Sequence, residues 1–163
     1  MKDQYVGDIN DFEKYSILRG LAEAARLPLV VCWMLTKPDR TGEGANTDYL
    51  DDPGRFRHLD AHVFDHLKSV VESGNRTTAE VETSGVLEGA TFVQDLLEDD
   101  ETSRSALFQS LQREAQTPSL VFFDPDIGLA GKNLRKGNSR ASMYLFDDEL
   151  ATAFERGHSL VVY

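Results

Sequence analysis

The sequence predicts an α/β fold, a Rossmann-like and mostly parallel sheet flanked by helices. Two observations predict it: short, continuously apolar segments recur along the chain, and segments with apolar residues at helical spacing lie between them. Strands covered by helices on both faces have such unbroken apolar runs. The chain has 163 residues, 40% of them hydrophobic, which is enough for one core. We therefore expect a single α/β domain over residues 1–163.

The first part of the chain predicts a helix, a strand and a second helix. The first helix has Asn10 as its N-cap and ends before Pro28. The next segment, LVVCWML, predicts a strand because it is short, apolar and partly β-branched. The second helix, AHVFDHLKSVVES, can be capped by Asp60 and ended by Gly74.

The remaining elements continue this alternation. TAEVET alternates between apolar and polar residues and predicts a short strand, and residues 102–115 predict a third helix. The strand SLVFF, the strand SMYLF, the helix DDELATAFER and the strand HSLVVY follow in that order. Because the last strand is apolar and ends the sequence, we expect that the chain is truncated at its C-terminus and lacks part of a larger sheet. An unpaired edge there would favour a homodimer.

The overall charge is strongly negative, −11 from 17 Lys and Arg against 28 Asp and Glu. This charge argues against broad, nonspecific affinity for nucleic acid or anionic lipid. The residues between Ile127 and Phe146 nevertheless contain bases and no acid: Lys132, Arg135, Lys136 and Arg140. This basic loop could contact the phosphates of a nucleic acid or nucleotide locally.

Neither a membrane span nor a signal peptide is predicted. The apolar run Leu27–Leu35 is about half the length that a span needs, and the start, MKDQY, lacks an apolar core. We expect a cytoplasmic protein with no membrane partner. The lone cysteine, Cys32, lies within the apolar run, so we expect a buried side chain without a disulfide.

The strongest candidate for a functional site is Asp124-Pro125-Asp126, directly after SLVFF. Ligands of open α/β sheets bind outside the carboxyl ends of the strands. Carboxylates at that position could hold a divalent cation, accept hydrogen bonds from a substrate, or act as a general base. The alternative is an acidic turn whose carboxylates only satisfy local N–H groups.

Two further groups of residues could bind a ligand. Gly42 and Gly44 follow the first strand, where backbone amides can approach a nucleotide closely. Asn10, Asp11 and Lys14 begin the first helix, whose N-terminus carries free N–H groups and a positive dipole end. A flexible surface loop and an ordinary helix cap are the structural alternatives. No pattern in the sequence predicts a metal site of its own.

Three segments together resemble a known family. YVGDINDFEKYSILRGL, YLDDPGRFRHLD and FFDPDIGL are similar to uncharacterised bacterial and phage-encoded proteins that share G-D-x-N-D-F-x-K-Y and D-P-D-x-G-L. That resemblance spans most of the chain and implies no activity. More remotely, the layout resembles the large-subunit ribosomal RNA adenine-N6 methyltransferases. Those enzymes have an N-x-A-D-x-x-K-H helix, a strand with a glycine loop, and D-P-P-Y at a later strand end.

The remote resemblance implies a binding site for S-adenosylmethionine and a catalytic segment. Asp124 and Asp126 would lie in the catalytic segment, where Asp126 and Ile127 replace a proline and an aromatic residue. The other correspondences are cofactor binding by Asn10, Asp11, Lys14, Gly42 and Gly44, and substrate phosphate binding by Lys132, Arg135 and Lys136.

Two other functions stay open. In one, Asp124 and Asp126 hold Mg²⁺ in a phosphoesterase or nuclease. In the other, the chain is a non-enzymatic adaptor or inhibitor whose acidic stretch, Glu80 to Glu101, meets a basic partner.

Overall fold

The computed structural model describes residues 1–39 and 44–163. The chain divides into two compact units. A sheet unit comprises residue 1 with residues 25–37 and 89–163, and a helical unit comprises residues 2–24 and 38–88. The prediction of a single domain over residues 1–163 stays a prediction.

The regular elements alternate between helices and short strands. The helices are α1 (Ile9–Ala25), α2 (Pro53–Phe56), α3 (Ala61–Ser73), α4 (Thr78–Thr83), α5 (Glu101–Glu114) and α6 (Asp147–Glu155). The strands are β1 (Leu29–Cys32), β2 (Thr91–Val93), β3 (Leu120–Phe123), β4 (Gly128–Leu129), β5 (Tyr144–Leu145) and β6 (Ser159–Val162).

The main sheet has the strand order β2-β1-β3-β6, and all its pairs are parallel. Val30 of β1 is in register with Thr91 of β2 on one side and Val121 of β3 on the other. Helices flank this sheet, so the predicted α/β, Rossmann-like fold class is confirmed. A separate parallel pair, β4 with β5, follows the acidic segment.

One face of the sheet forms the apolar core of the sheet unit. Alternate residues of each strand point to the same face, and on this face they pack against α5 and α6. The cluster contains Val30, Cys32, Met34, Val93, Leu97, Leu107, Leu111, Val121, Phe123, Leu145 and Ala153. The residues of β1 and β3 that point to the other face are buried as well, so neither strand has a polar position.

The helical unit is organised around a cluster of aromatic rings. The Phe12 and Tyr49 ring centroids lie 5.5 Å apart, and Phe64 packs edge-on against Phe12 at 6.1 Å. These side chains come from α1, α3 and the segment before α2, so the cluster links the helices of this unit. Asp60 caps α3 and Gly74 ends it with φ 74°, as predicted.

Two local predictions are wrong. TAEVET forms α4, because Thr78 and Val81 share one buried helical face three residues apart. A six-residue alternation fits this period as well as that of a strand. The first helix begins at Ile9, so Asn10 lies inside the helix and is not its N-cap. The carboxylate of Asp8, the residue before the helix, accepts the Asn10 N–H at 3.0 Å.

Among the described residues, every helix is too short or too polar to cross a membrane.

The Cys32 thiol is expected to resist alkylation in the folded chain. Burial raises its pKa to about 12, and the thiolate is the reactive form. We expect iodoacetamide at pH 8 to leave Cys32 unmodified in native buffer and to modify it fully in urea, measured by intact mass. Rapid modification of the native chain would contradict the buried position.

Candidate functional site

The carboxyl ends of β1 and β3 meet where the strand order of the sheet reverses. From β1 the chain first adds β2 on one side, and it then returns through α5 to add β3 on the other. Loops that leave such neighbouring strands in opposite directions open a crevice, which is where open α/β sheets bind ligands. The sequence LVFF therefore places Asp124 and Asp126 at the carboxyl edge of the sheet, as the sequence position indicated.

Asp126 lies in a buried polar cluster at this edge of the sheet. Its Oδ1 is 2.7 Å from the α-ammonium nitrogen of Met1, and both side chains are 1% exposed. Its Oδ2 accepts a hydrogen bond of 2.6 Å from the Thr36 hydroxyl. The acidic segment is therefore more than a surface turn, since Asp126 contacts residues that are distant in sequence.

Asp124 contributes its backbone to the same cluster. Its N–H donates to Cys32 O at 3.1 Å, which continues the β1–β3 ladder, and its carbonyl accepts from the Met1 ammonium at 2.9 Å. The Asp124 residue itself is buried. Three oxygens, Asp126 Oδ1, Asp124 O and Met34 O, thus surround one nitrogen, with Met34 O at 3.2 Å.

Thr36 and Met34 belong to this cluster and were missed from the sequence. Both follow β1 in the stretch WMLT, which has no motif of its own. Met34 has φ 48°, in the left-handed region that non-glycine residues seldom adopt. The signal that could have found them is position alone: they follow the strand that neighbours β3.

The opening motif GDINDFEK forms a separate network in the helical unit. Asp8 accepts from the backbone of Asn10 at 3.0 Å and of Asn46 at 2.9 Å. Asp11 accepts from Gly7 N–H at 3.1 Å and pairs with Lys14 Nζ at 2.8 Å, both side chains being buried. These contacts hold the start of α1, and they bring Asp11 and Lys14 together as an ion pair. Cofactor binding by Asn10, Asp11 and Lys14 stays a prediction.

Of the two glycines predicted in the cofactor loop, Gly44 has a packing reason to be glycine. It has φ 79°, and a Cβ there would lie 2.4 Å from Tyr5 Cδ1 and 2.7 Å from Tyr5 Cα. The Arg76 guanidinium also donates to the Gly44 carbonyl. Gly42 lies outside the described residues. Binding of S-adenosylmethionine by this loop stays a prediction.

A Gly7→Ala substitution is expected to destabilise the chain by about 2 kcal/mol. Gly7 has φ 94°, and the added Cβ would meet Val71 Cγ2 at 2.5 Å. The matched control is Gly20→Ala, at an exposed helical position with open space, which should stabilise by about 0.5–1 kcal/mol. Urea unfolding measures both, and equal effects would contradict the strained turn at Gly7.

The predicted phosphate-binding residues lie in the sheet unit, in the segment that joins β4 to β5. Lys132 and Arg135 are exposed, whereas Lys136 pairs with Asp148 at 2.5 Å and Glu149 at 3.2 Å in the first turn of α6. Asp99 accepts the N–H groups of Arg140 and Ser142. Burial would raise the pKa of the Asp99 carboxyl, but hydrogen bonds from Ser142 and Arg140 lower it below its ordinary value. The segment is therefore held by the first turn of α6 and by Asp99, two residues before α5.

The predicted site residues thus belong to two groups. Asp124, Asp126 and the basic segment lie in the sheet unit, and Asn10, Asp11, Lys14 and Gly44 lie in the helical unit. Within residues 1–39 and 44–163, no group of three or more His, Cys, Asp or Glu side chains is arranged to hold a metal ion. Comparisons with protein-family models, with curated proteins and with solved structures found no match for this chain.

Proposed function

We propose that this chain is an S-adenosylmethionine-dependent, methyltransferase-like enzyme that acts on an amino nitrogen of a nucleic acid or nucleotide. The observation that carries the proposal is the cluster of Asp126 Oδ1, Asp124 O and Met34 O around a single nitrogen. Acceptor oxygens placed in this way bind an N–H donor. The enzyme would work in the cytoplasm.

The chemistry of an amino acceptor fits these oxygens. The cofactor supplies a methyl group bonded to a positively charged sulfur. In such a transfer the substrate nitrogen would form a bond to the methyl carbon while the carbon–sulfur bond broke with its electron pair left on sulfur, and water would take a proton from the nitrogen. Asp124 and Asp126 would orient the amino group through its hydrogens, which holds the nitrogen lone pair towards the methyl carbon.

Backbone strain at the same edge supports a functional role. Met34 is fully buried, adopts a positive φ of 48°, and directs its carbonyl at the bound nitrogen. Non-glycine residues in this conformation cost free energy and concentrate at ligand sites. The cost is understandable if the Met34 carbonyl is needed as a ligand-binding acceptor.

Residues around the acids would contact the rest of the substrate. Ile127 is about half exposed and offers an apolar surface beside the acids. Lys132 and Arg135 are exposed on the segment that follows, and they would contact phosphates. In this arrangement the Met1 ammonium occupies the place of the substrate amino group, so substrate binding requires that Met1 move away.

The test combines calorimetry with a methyl-transfer assay. S-Adenosylmethionine and its demethylated product should bind, and radioactive methyl groups should be transferred to RNA, DNA or free nucleotides. Asp126→Asn should retain cofactor binding and reduce transfer at least tenfold, and the control Asp65→Asn, on an exposed side chain, should leave both unchanged.

Absence of cofactor binding at millimolar concentration would overturn the proposal. A magnesium arm identifies the main alternative. Binding of Mg²⁺ by the unchanged chain and its loss in Asp126→Asn would assign Asp126 to a phosphoesterase or nuclease instead.

A further inference from the structure

A buried ion pair joins the two helices that pack against the core face of the sheet. Arg104 of α5 is 3% exposed and Glu149 of α6 is 6% exposed. Arg104 Nη1 donates to both carboxylate oxygens of Glu149, at 2.9 Å and 2.8 Å. Glu149 Oε2 also accepts the Phe146 N–H at 3.0 Å. These hydrogen bonds therefore fix the orientation of both side chains.

The second nitrogen of Arg104 holds the backbone of the segment before α6. Nη2 donates to Ala141 O at 2.6 Å and to Tyr144 O at 2.9 Å. The guanidinium carbon also lies 4.7 Å from the centroid of the Phe146 ring. A single side chain thus connects α5, α6 and residues 141–146.

The same segment holds the backbone that leaves the acidic site. The Ile127 N–H donates to Met143 O at 3.0 Å, and the Ala130 N–H donates to Leu145 O at 2.8 Å. These two carbonyls flank Tyr144, whose own carbonyl binds Arg104. Ile127 directly follows Asp126, so the network of Arg104 reaches the catalytic segment through two backbone hydrogen bonds.

We infer that Arg104 is a positioning residue for Asp126, acting through residues 141–145 and the Ile127–Ala130 backbone. This inference rests on the proposed function for its purpose, because the orientation of a substrate amino group needs a fixed carboxylate. Replacing a buried ion pair with apolar side chains of similar volume often leaves a protein at least as stable. What apolar side chains cannot supply is directional donation to two carbonyls.

Amide hydrogen exchange, followed by NMR, tests the inference without any ligand. In Arg104→Met, the Ile127 and Ala130 amides should exchange about tenfold faster relative to the sheet amides of Asp124 and Ser159. Arg104→Lys, which keeps the charge but not the planar fork, should give a smaller change. The control Arg113→Met removes an exposed arginine of α5, 68% exposed, and should change none of these amides.

Equal acceleration of all four amides in Arg104→Met would overturn the inference, since the role of Arg104 would then be stability alone. If Arg104→Met does not fold, Arg104→Lys and Glu149→Gln take its place. The same ratio is measured in them, the exchange rates of the Ile127 and Ala130 amides relative to those of the two sheet amides. A methyl-transfer assay then separates the two proposals. Arg104→Lys should lower transfer several-fold while cofactor affinity stays unchanged. If the unchanged chain binds no cofactor, the proposed function is contradicted. The ratio of amide exchange rates then still tests whether Arg104 positions the backbone after Asp126.

Discussion

Replacing Glu149 with alanine is expected to lower the free energy of unfolding by about 3–5 kcal/mol. The substitution leaves the Arg104 guanidinium buried without its carboxylate, and it removes the acceptor of the Phe146 N–H. A buried charge without a partner keeps the full cost of its lost hydration. Chemical unfolding in urea, with circular dichroism as the signal, measures the loss.

The neighbouring Asp148 supplies a matched control for Glu149. It also pairs with Lys136, but its side chain is 72% exposed. Exposed pairs contribute little, so Asp148→Ala should remain close to the unchanged chain in stability. The double variant Arg104→Met with Glu149→Leu should be more stable than Glu149→Ala, because it removes both charges together. A similar loss in Asp148→Ala and Glu149→Ala would show that burial is not the cause.

Asp126→Ala is expected to be the second strongly destabilising substitution, with a loss of about 3–5 kcal/mol. The alanine leaves the buried Met1 ammonium without its carboxylate and the Thr36 hydroxyl without its acceptor. Asp126→Asn should cost less, since its amide oxygen can still accept from the Met1 ammonium while its NH2 group donates to the Thr36 hydroxyl, which can also accept. The difference in the free energy of unfolding between the two variants, measured in urea, separates the contribution of the charge from that of the hydrogen bonds.

Asp65 tests whether burial, rather than distance, makes the Asp126 pair strong. The Asp65–Arg57 pair has the same 2.7 Å separation as Asp126 and Met1, but both its side chains are about half exposed. Asp65→Ala should therefore change stability little. Equal losses in Asp65→Ala and Asp126→Ala would refute the assignment of Asp126 to a buried cluster.

The fold class could be predicted because it depends on patterns within single segments. Apolar runs such as LVVC and LVFF are buried on both faces, and their position in the chain is enough to predict parallel strands. Short segments are harder to assign to a helix or a strand from their sequence. TAEVET is compatible with two periods, and only the burial of Thr78 and Val81 on one face distinguishes them.

The site could be predicted only in part, for a physical reason. Asp124 and Asp126 follow an obvious strand, so their place at the carboxyl edge follows from the pattern. Their partners could not be found in this way, because Thr36 and Asp126 meet through the pairing of β1 with β3 and share no local pattern. Arg104 and Glu149 resembled ordinary charged residues of helix surfaces until the packing of α5 and α6 placed them together.

The position of β1 in the sheet has a consequence for how the protein is made. Its Val30 pairs with Thr91 and with Val121, so both partner strands are synthesised long after β1. Closing such long loops costs chain entropy before any strand pairing compensates for it, and this slows folding. During translation the apolar segment LVVC remains unpaired until β2 emerges, and its other edge remains open until β3 emerges. We therefore expect β1 to be the segment that a chaperone protects on the ribosome.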